Sequence, residues 1–541
     1  MEKISEYIGS IRIPFRIHQD HILPIVSISA ATLYASYYFL RQSKRSTAME
    51  SIKEIPTPGL CYPYVGHMLS LGELPGEQIT KWHKELGHIF KLKMGRQTWV
   101  MIDDPLLAHK IFVGHGAQTS SRPISIYNHY HYSKGGKGIV FSQPGPVFRS
   151  NRAVVLSVLA PKQMENFMKS IEKESSNLAK RLIDATQEKG SVDPKTDLEL
   201  SSMNVIFYAI FGRSFNSTED PEFQKLSEIT GRSIKYAALD EDLPSFLPIF
   251  SIFHFLSGKS KIWHDFIHEV RDPAYTKLIE EAYTKEGPNV VKSLDEYQMD
   301  LNEKIVIMCK HLPHQSMIHG TQTNLLGIAD LVAAGSDTVA ITLSWILAIL
   351  CNYPEVQKSA IDEIDMFVTK HNRVPTFADR LDVPLCISIM KECMRFKPTT
   401  AFGLPHSASS DILVDGYFIP KDTVIISSMQ SMHYDAERYP EPNVFDPERF
   451  LNNLKTMNAS VNGSFEDRDH FNFGWGRRIC PGIYLAEAEI FFAVIQLLAR
   501  ANIEPADEGL PVLEGAVNAG LSLRPLPYKV KFVRRTDALI Q

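Results

Sequence analysis

The sequence is poor in cysteine and has no strong excess of either charge. Six of its 541 residues are cysteine and no two form a Cys-x-x-Cys pair, which excludes a disulfide-dense secreted domain or a zinc ribbon. Lys and Arg number 57 against 62 Asp and Glu, the formal net charge is −5, and 44% of the residues are hydrophobic. These values exclude a disordered, collagen-like or nucleic-acid-coating protein. We therefore expect a large folded protein without a nucleic-acid partner.

Motifs for some common cofactors and repeats are also missing. No Gly-x-Gly-x-x-Gly segment is present, so the chain has no flavin- or dinucleotide-binding fingerprint of its own. No internal repeat or low-complexity linker divides the chain after its N-terminal segments. Helical periodicity alternates with short β-type runs. We predict one mainly α-helical domain with small β-sheets over residues 64–541.

An uncharged run near the N-terminus predicts a membrane anchor. No charged residue occurs from Ile22 to Leu40, a stretch near the lower limit for crossing a bilayer. Basic residues begin at Arg41, and by the positive-inside rule they place the rest of the chain in the cytoplasm. The predicted order is a luminal segment over 1–21, the anchor over 22–41 and a basic, proline-rich hinge over 42–63. A buried helix or a cleavable signal is the alternative to the anchor.

A second apolar run, from Leu325 to Cys351, predicts a long helix inside the protein. Asp330 and Asp337 lie within it. Each acid at a bilayer centre would cost about 2.5–3.5 kcal/mol, so burial in protein is more favourable than a second span.

The segment 471–482, Phe-Asn-Phe-Gly-Trp-Gly-Arg-Arg-Ile-Cys-Pro-Gly, carries the strongest chemical signal. Pro481 suits the first turn of a helix, which would place Cys480 at the positive end of a helix dipole. That position favours the thiolate, a soft ligand for iron. Gly474 and Gly476 let the backbone approach a flat cofactor. The alternative is an ordinary buried cysteine.

This segment resembles the haem-binding signature of the cytochrome P450 superfamily, Phe-x-x-Gly-x-Arg-x-Cys-x-Gly. Phe473, Gly476, Arg478, Cys480 and Gly482 match its five fixed positions. The resemblance implies the cytochrome P450 fold and a haem b (iron protoporphyrin IX) with Cys480 as its axial thiolate. It also implies that Phe473 packs near the sulfur and that Arg478 binds a haem propionate.

Further segments resemble the family in the same order along the chain. Ala334-Gly335-Ser336-Asp337-Thr338 resembles the oxygen-activation motif, which implies Asp337 as the proton-relay acid and Thr338 as its alcohol. Asp330, Ala334, Thr338 and Thr342 recur on one helix face, and Val339 replaces the second hydroxyl of many relatives.

Two more resemblances concern the core and the haem carboxylates. Glu392-x-x-Arg395 with Arg449 resembles the buried charge cluster behind the haem, although a surface ion pair is the simpler explanation of this spacing. Phe148-x-x-x-Arg152 resembles a Trp-x-x-x-Arg helix, and Pro405-His406 matches a propionate-binding position. Arg152 and His406 are therefore implied propionate ligands.

The resemblance implies a pocket for a lipophilic substrate, with Tyr127, Tyr130, Ala334, Phe402 and Leu404 in its wall. The anchor and hinge are most similar to those of fungal microsomal members, which favours a steroid or terpenoid, with fatty acids and xenobiotics as alternatives. Residues 243–253 either line an access channel, dip into the membrane interface or form a buried loop.

The implied activity is a monooxygenase that inserts one atom of O₂ into a C–H bond. Electrons would come from NADPH–cytochrome P450 reductase, with cytochrome b5 as a second donor, and Arg149, Lys162 and Arg477 would be basic contacts. The implied location is the endoplasmic reticulum membrane, single-pass, with the catalytic domain in the cytoplasm. The alternatives are a reductase-independent haem-thiolate isomerase, dehydratase or peroxygenase, and a non-catalytic membrane-tethered haem protein that binds a ligand.

Overall fold

The structure is a computed structural model that describes residues 52–238, 240–285, 289–292 and 317–539. The predicted luminal segment, the anchor and the first part of the hinge lie outside these residues. The chain divides into two compact units. Of the smaller unit, residues 52–54 and 416–418 are described, and the Lys53 amide donates to the Gly416 carbonyl oxygen at 2.8 Å. The larger unit contains residues 55–415 and 419–541.

The larger unit is mainly helical, as predicted. Its α-helices are α1 (Pro75–Leu86), α2 (Pro105–His109), α3 (Gly116–Thr119), α4 (Pro146–Val158), α5 (Pro161–Met164), α6 (Met168–Lys189), α7 (Lys195–Phe211), α8 (Pro221–Tyr236), α9 (Phe250–Leu256), α10 (Lys259–Asp265), α11 (Asp272–Thr284), α12 (Met317–Asn352), α13 (Pro354–His371), α14 (Pro384–Phe396), α15 (Met429–His433), α16 (Met457–Asn462) and α17 (Ile483–Leu498). Short 3-10 and π-helical turns extend or connect several of them. Proline begins many of these helices because its missing amide hydrogen has no partner there anyway.

The strands are short and form small sheets. They are β1 (Ile89–Met94), β2 (Gln97–Ile102), β3 (His406–Ser407), β4 (Ile412–Val414), β5 (Tyr417–Ile419), β6 (Val424–Ser427), β7 (Ala501–Pro505), β8 (Val517–Asn518), β9 (Leu523–Arg524) and β10 (Val530–Arg534). The largest sheet has the order β1-β2-β6-β3, in which only β2 and β6 are parallel. Strand β10 pairs with β7, and β8 pairs with β9, both antiparallel. The sheet places His406 opposite Ile425 at its edge.

Helix α12 is the centre of the fold. It packs against α7 and α17, and α17 packs in turn against α6. Among the described residues, its part Leu325–Asn352 is the one helix long and apolar enough to cross a membrane, yet most of it is buried in protein. This burial confirms the prediction that the second apolar run is a core helix. Pro354 ends the run because the ring cannot continue the same helix without a break.

Candidate active site

The segment around Cys480 forms a compact loop before α17. Residues Gly476–Arg478 make one 3-10 turn, and the Cys480 amide donates to the Phe473 carbonyl oxygen at 2.9 Å. Helix α17 begins at Ile483, with Gly482 as its N-cap, rather than at Pro481 as predicted. Pro481 and Gly482 instead form the turn that leads into the helix. Cys480 therefore lies one turn ahead of the helix and not within its first turn.

Gly476 is required by a close approach of two backbone segments. Its φ is +52°, a left-handed value that side chains disfavour. A Cβ atom there would lie 2.3 Å from the carbonyl oxygen of Phe112. The crowded neighbour is thus the protein backbone, whereas we expected a flat cofactor. Gly474 also has a positive φ, +73°, but a Cβ there would meet nothing within 4 Å.

The Cys480 side chain is half-buried, and it lies close to Arg152. Burial raises the pKa of this thiol, while an amide hydrogen bond from Gly482 and the charge of Arg152 act in the opposite direction. Gly482, the N-cap of α17, supplies the amide that favours the thiolate, and the thiolate form of Cys480 stays a prediction. A coordinating metal ion removes the proton of a thiol outright. A metal ion bound at this sulfur would therefore hold Cys480 as the thiolate.

Three buried or half-buried arginines surround the site without a counter-anion. Arg122, Arg152 and Arg478 form no ion pair among the described residues, although Arg122 is only 7% exposed. Burial lowers the pKa of Arg122, and the charges of Arg478 and Arg152 lower it further. Burial, with the neighbouring Arg152, lowers the pKa of Arg478 to about 10. Such a cluster is stable only when an anion neutralises it.

The donors of these arginines currently meet backbone oxygens. Arg478 donates to the carbonyl oxygens of Ser120, Ile139 and Ser142, and Arg152 donates to that of Ile479. Their predicted bonds to haem propionates remain predictions. The backbone bonds fix the guanidinium groups and leave their charge uncompensated.

Arg122 is the member of the cluster that the sequence did not reveal. Its Nη1 donates to the carbonyl oxygens of Leu404 and Pro405 at 2.9 and 2.8 Å, and its Nε donates to that of Val140 at 3.0 Å. Pro405 precedes His406, whose Nδ1 lies 2.6 Å from the Thr119 carbonyl oxygen. Burial, with the nearby Arg122, lowers the pKa of His406 well below its usual value, so the imidazole is neutral. Arg122 belongs to none of the motifs identified in the sequence, and only its position a few residues before Tyr127 connected it with the predicted pocket.

Phe148 fills the position at which relatives carry tryptophan. Its ring lies 3.8 Å from the Arg478 guanidinium carbon, so a cation–π contact holds the arginine. The phenylalanine ring therefore packs against Arg478 at this position, but it has no N–H to donate.

Together these residues fit a haem b. The site contains one soft sulfur ligand. It also contains three arginines and a neutral histidine, which suit a bound group that has two carboxylates. Iron protoporphyrin IX supplies one metal and two carboxylates, which matches the donor set. Cys480 would hold the iron, and Arg122, Arg152, Arg478 and His406 would hold the propionates.

Helix α12 has two exposed side chains, one small and one with a hydroxyl, although most of the helix is buried. Ala334 and Thr338 are exposed, whereas the residues directly before and after each of them in the sequence are buried or half-buried. Thr338 donates its hydroxyl to the Ala334 carbonyl oxygen at 2.8 Å. This exposure within a core helix marks the wall of an internal cavity.

Asp337 points away from that cavity wall. Its carboxylate accepts from the Ser522 hydroxyl at 3.2 Å and forms an ion pair with Arg524. Burial raises the pKa of Asp337, and Arg524 partly offsets this effect. The acid and the alcohol of the predicted motif are therefore both engaged, on different sides of α12, and their roles remain predictions.

Asp330 fastens a loop to the same helix. Its Oδ2 accepts from the backbone amides of Ile139 and Val140 at 2.7 and 3.1 Å. The loop 138–142 is also held by Arg122 and Arg478 through its carbonyl oxygens. Two successive turns of α12 therefore carry the loop contact and the open face.

The charge cluster predicted around Glu392 forms a buried unit. Glu392 and Arg395 are fully buried, and both Arg395 and Arg449 bind the Glu392 carboxylate, with Nε–Oε2 distances of 2.7 and 3.1 Å. The Asp446 amide donates to the other oxygen at 3.0 Å. The alternative of an exposed helix pair is therefore excluded.

A second buried ion pair next to it was missed. Lys391 and Asp469 have fully buried side chains and an Nζ–Oδ2 distance of 2.7 Å. Lys391 also donates to the carbonyl oxygens of Asn453 and Lys455 at 2.7 and 2.8 Å. The partners are separated by about eighty positions in the sequence, and no spacing rule connects them. This pair fixes the segment that leads into the Cys480 loop.

The predicted pocket residues have different surroundings. Tyr127 is 0% exposed and packs edge-on against Trp263 and Tyr236, with ring centroids 5.3 and 5.5 Å apart. This packing leaves no open face, so the prediction that Tyr127 lines the cavity is corrected to an aromatic core role. Tyr130 is 59% exposed and contacts the His129 ring.

Phe402 and Leu404 are half-buried. Phe402 packs against the apolar cluster of the four-stranded sheet, and the Leu404 carbonyl oxygen binds Arg122. Their contact with substrate stays a prediction.

Comparison with known proteins is consistent with this geometry. The sequence model of the cytochrome P450 family matches residues 56–532. The chain is 28% identical to the steroid 17-alpha-hydroxylase/17,20 lyase of Capra hircus over 94% of this chain and 96% of that protein. It is 28% identical to the cytochrome P450 monooxygenase drtD of Aspergillus calidoustus, over 87% of this chain and 84% of that protein. A zebrafish cytochrome P450 solved with progesterone has a TM-score of 0.70 at 24% identity, covering 85% of this chain and 99% of the other.

Proposed function

The chain belongs to the cytochrome P450 family of haem-thiolate monooxygenases, and we propose that it inserts one oxygen atom from O₂ into a C–H bond of a lipophilic substrate, with steroids the first class to test. The observation that carries this proposal is the position of Cys480 next to arginines that are buried or half-buried and form no ion pair with any described residue. That donor set matches a haem with two propionates, and it lies within the segment that matches the family signature.

The residues around the cavity have separate tasks. Haem bound through Cys480 supplies oxygen activation, because a thiolate ligand favours O–O cleavage. Thr338 holds a hydroxyl at the open face of α12, where it can order a water or pass a proton into the cavity. Asp337, one residue earlier, is the nearest buried acid on the helix and is the proton source. Ala334 leaves space beside Thr338 for substrate.

Substrate class rests on the cavity wall and on the relatives. Ala334, Phe402 and Leu404 are apolar, and such walls bind lipophilic molecules with few polar anchors. Relatives include steroid 17-alpha-hydroxylase/17,20 lyases, and one matching fold was solved with progesterone. Steroids therefore precede terpenoids, fatty acids and xenobiotics as candidates.

Electrons come from a separate NADPH–cytochrome P450 reductase, and cytochrome b5 is the second donor in this proposal. The chain has no dinucleotide-binding fingerprint. Arg149, Lys162 and Arg477 are exposed, the last within the Cys480 loop itself. Exposed cations such as these suit an acidic electron donor, because charge complementarity raises the association rate.

Attachment to the endoplasmic reticulum membrane completes the proposal. It is supported by the uncharged run from Ile22 to Leu40 and the basic residues after it. A second support is the apolar surface of α9, where Phe253, Phe255 and Leu256 are 59%, 83% and 74% exposed. Phe246, just before this helix, is buried against the sheet. An exposed apolar face of this kind on an anchored domain suits contact with the lipid interface.

The test is turnover by the full-length holoenzyme. Progesterone, pregnenolone, a sesquiterpene and lauric acid are screened for a shift of the haem absorption band. Those that bind are incubated with NADPH and reductase under ¹⁸O₂. We expect a hydroxylated product with one ¹⁸O atom for a steroid. A control variant, Arg477→Glu, should bind the same steroid with less reductase-dependent turnover.

Other outcomes would overturn parts of the proposal. Product formed equally well without O₂ or reductase would indicate an isomerase or dehydratase. Product formed from hydrogen peroxide alone would indicate a peroxygenase. Tight binding without any turnover would indicate a ligand-binding haem protein.

A further inference from the structure

A half-open groove in the larger unit is lined by α1, the end of α14, α15 and the segment 514–516. None of its lining residues is among those assigned above to the haem or to the substrate. Its volume is about 530 Å³. Sites for small molecules in proteins commonly have volumes of about 300–1,000 Å³. The groove is therefore large enough for a molecule the size of a steroid.

Hydrogen bonds fix the aromatic residues of the groove. Trp345 of α12 and Phe396 of α14 are both buried. The Trp345 indole donates to the Leu523 carbonyl oxygen at 2.9 Å, and the Tyr434 hydroxyl donates to the Phe396 carbonyl oxygen at 2.8 Å. These bonds hold Trp345, Phe396 and Tyr434 in place, so the groove has an aromatic lining before any ligand binds.

The wall between α1 and α15 is fixed as well. The hydroxyl groups of Thr80 and Ser431 lie 2.8 Å apart and share a hydrogen bond. A Cβ atom at Gly76 would lie 2.1 Å from the Gln430 side-chain oxygen, so the two helices meet closely there. The groove is therefore bounded by packed helices and not by a loop alone.

Lys397 places a cation on this aromatic lining without a counter-ion. Its Nζ lies 5.5 and 5.1 Å from the ring centroids of Trp345 and Phe396, and it forms no ion pair with any residue that the structure describes. The side chain is half-buried. Burial lowers the pKa of its ammonium group, while the charges of Glu514 and Glu77 act in the opposite direction. The ammonium group therefore has the capacity to bind an anion.

The charged groups that line the groove include one more cation than anion. They are Lys81, Lys84, Lys397, Glu77 and Glu514. Lys81 lies 4.0 Å from Glu85 in an exposed pair, and both lining glutamates are exposed. Water and salt screen exposed charges much more than half-buried ones. The charge of Lys397 therefore acts most strongly on a molecule inside the groove.

We propose that this groove is a second small-molecule site, which binds an amphipathic anion of steroid size with its acidic group on Lys397 and its apolar body along the aromatic lining. Sulfated steroids and long-chain carboxylates belong to this chemical class. The acidic group supplies the counter-ion that Lys397 lacks, in a charge-assisted hydrogen bond. The inference does not depend on the oxygenation reaction, so either can fail without the other.

The test is a calorimetric titration of the full-length holoprotein in nanodiscs of phosphatidylcholine. An azole inhibitor that coordinates the haem iron is added first to block the substrate cavity. Dehydroepiandrosterone sulfate is the probe, uncharged dehydroepiandrosterone is the comparison, and nanodiscs without protein give the blank. We expect one saturable site for the sulfate and at least about tenfold weaker binding of the uncharged steroid, the usual effect of losing a hydrogen bond between charged groups.

Three variants assign the binding to Lys397. Lys397→Gln should raise the dissociation constant of the sulfate by about tenfold, because it removes the charge. Lys397→Arg keeps the charge and should retain most of the affinity. Lys91→Gln is the matched control, since Lys91 of β1 is also half-buried, forms no ion pair among the described residues and does not line the groove. Its dissociation constant should equal that of the wild type.

A second readout uses the wild-type protein alone. Trace acetylation by acetic anhydride is followed by mass spectrometry at Lys397 and at Lys91. With the sulfate at about ten times its dissociation constant, acetylation of Lys397 should slow by about tenfold, because few sites remain free. Acetylation of Lys91 should keep its rate.

Nanodiscs enriched in phosphatidylserine distinguish two sources of the anion. Weaker binding of the sulfate in these nanodiscs would identify a lipid head group as the occupant, and unchanged binding would identify a dissolved molecule. Both results keep the same chemistry at Lys397. The inference is overturned if the azole-bound protein shows no saturable site for the sulfate, if the uncharged steroid binds equally well, or if Lys397 is acetylated at the same rate with and without the sulfate. Equal weakening by Lys397→Gln and Lys91→Gln would also overturn it.

Discussion

Replacing Lys391 by methionine should loosen the protein directly behind the Cys480 loop. The ammonium group has three acceptors, which are Asp469 and the carbonyl oxygens of Asn453 and Lys455. Methionine fills a similar volume and replaces none of these contacts. The Asp469 carboxylate would keep its bonds from the Ser460 hydroxyl and the His470 amide but lose its buried counter-ion.

The expected magnitude follows from the complete burial of both side chains. Removing one partner of such a pair typically costs about 3–5 kcal/mol. A family domain of roughly 480 residues has an unfolding entropy of about 1 kcal/mol/K, so this cost corresponds to a fall in melting temperature of about 3–5 °C. Adding Asp469→Asn removes the stranded charge and should recover about 2 kcal/mol, while the two unpaired carbonyl oxygens keep the double variant below the wild type.

The assay is thermal unfolding of the holoprotein, followed together with its carbon monoxide difference spectrum. We expect Lys391→Met to melt earlier and to lose the thiolate-type spectrum at a lower temperature, because residues 453–469 lead into the cysteine loop. Lys455→Met is the control, since the Lys455–Asp467 pair is exposed and surface ion pairs contribute little to stability. Equal melting of the two variants, or no recovery in the Lys391→Met/Asp469→Asn protein, would refute the reasoning.

Four further outcomes are expected. Cys480→Ala should abolish the thiolate-type carbon monoxide spectrum, and a retained spectrum would remove it as the iron ligand. Gly476→Ala should reduce haem retention strongly because its Cβ would lie 2.3 Å from a backbone oxygen, whereas Gly474→Ala should cost about 1 kcal/mol for its left-handed backbone; similar haem content in both would contradict the clash. Burial raises the pKa of Glu487 to about 7, so its contribution destabilises the fold increasingly as pH rises from about 4.5 to 7. Glu487→Gln should therefore make the melting temperature depend less on pH over that range. Thr338→Ala should keep haem but divert electrons to hydrogen peroxide, and full coupling of NADPH to product in that variant would exclude a proton-transfer role.

The sequence predicted the parts of the fold that depend on local pattern. The apolar run of α12 contains Asp330 and Asp337. These two acids identified it as a core helix, because acids are tolerated inside a protein and not at a bilayer centre. The i, i+3 spacing of Glu392 and Arg395 placed both on one helix face. The resemblance added Arg449, whose contact depends on a distant segment.

Features that depend on distant partners escaped prediction. Arg122 lies close to Arg478, and Glu199 forms an ion pair with Arg524. Hundreds of residues separate the partners of each pair in the sequence, and no periodicity relates them. The resemblance implied Tyr127 in the pocket wall, yet Trp263 and Tyr236 pack edge-on against its ring. The start of α17 moved from Pro481 to Ile483, a shift within the usual uncertainty of helix ends.

The loop 138–142 gives the protein a shared constraint on two properties that are often engineered separately. Asp330 holds its amides, and Arg122 and Arg478, the guanidinium groups assigned to the cofactor's carboxylates, hold its carbonyl oxygens. A library that reshapes this loop to accept new molecules therefore also disturbs the anchors of the prosthetic group. Variants selected for altered substrate range should first be checked for their content of bound prosthetic group. A loss of that group lowers the amount of product and can be mistaken for a change in selectivity.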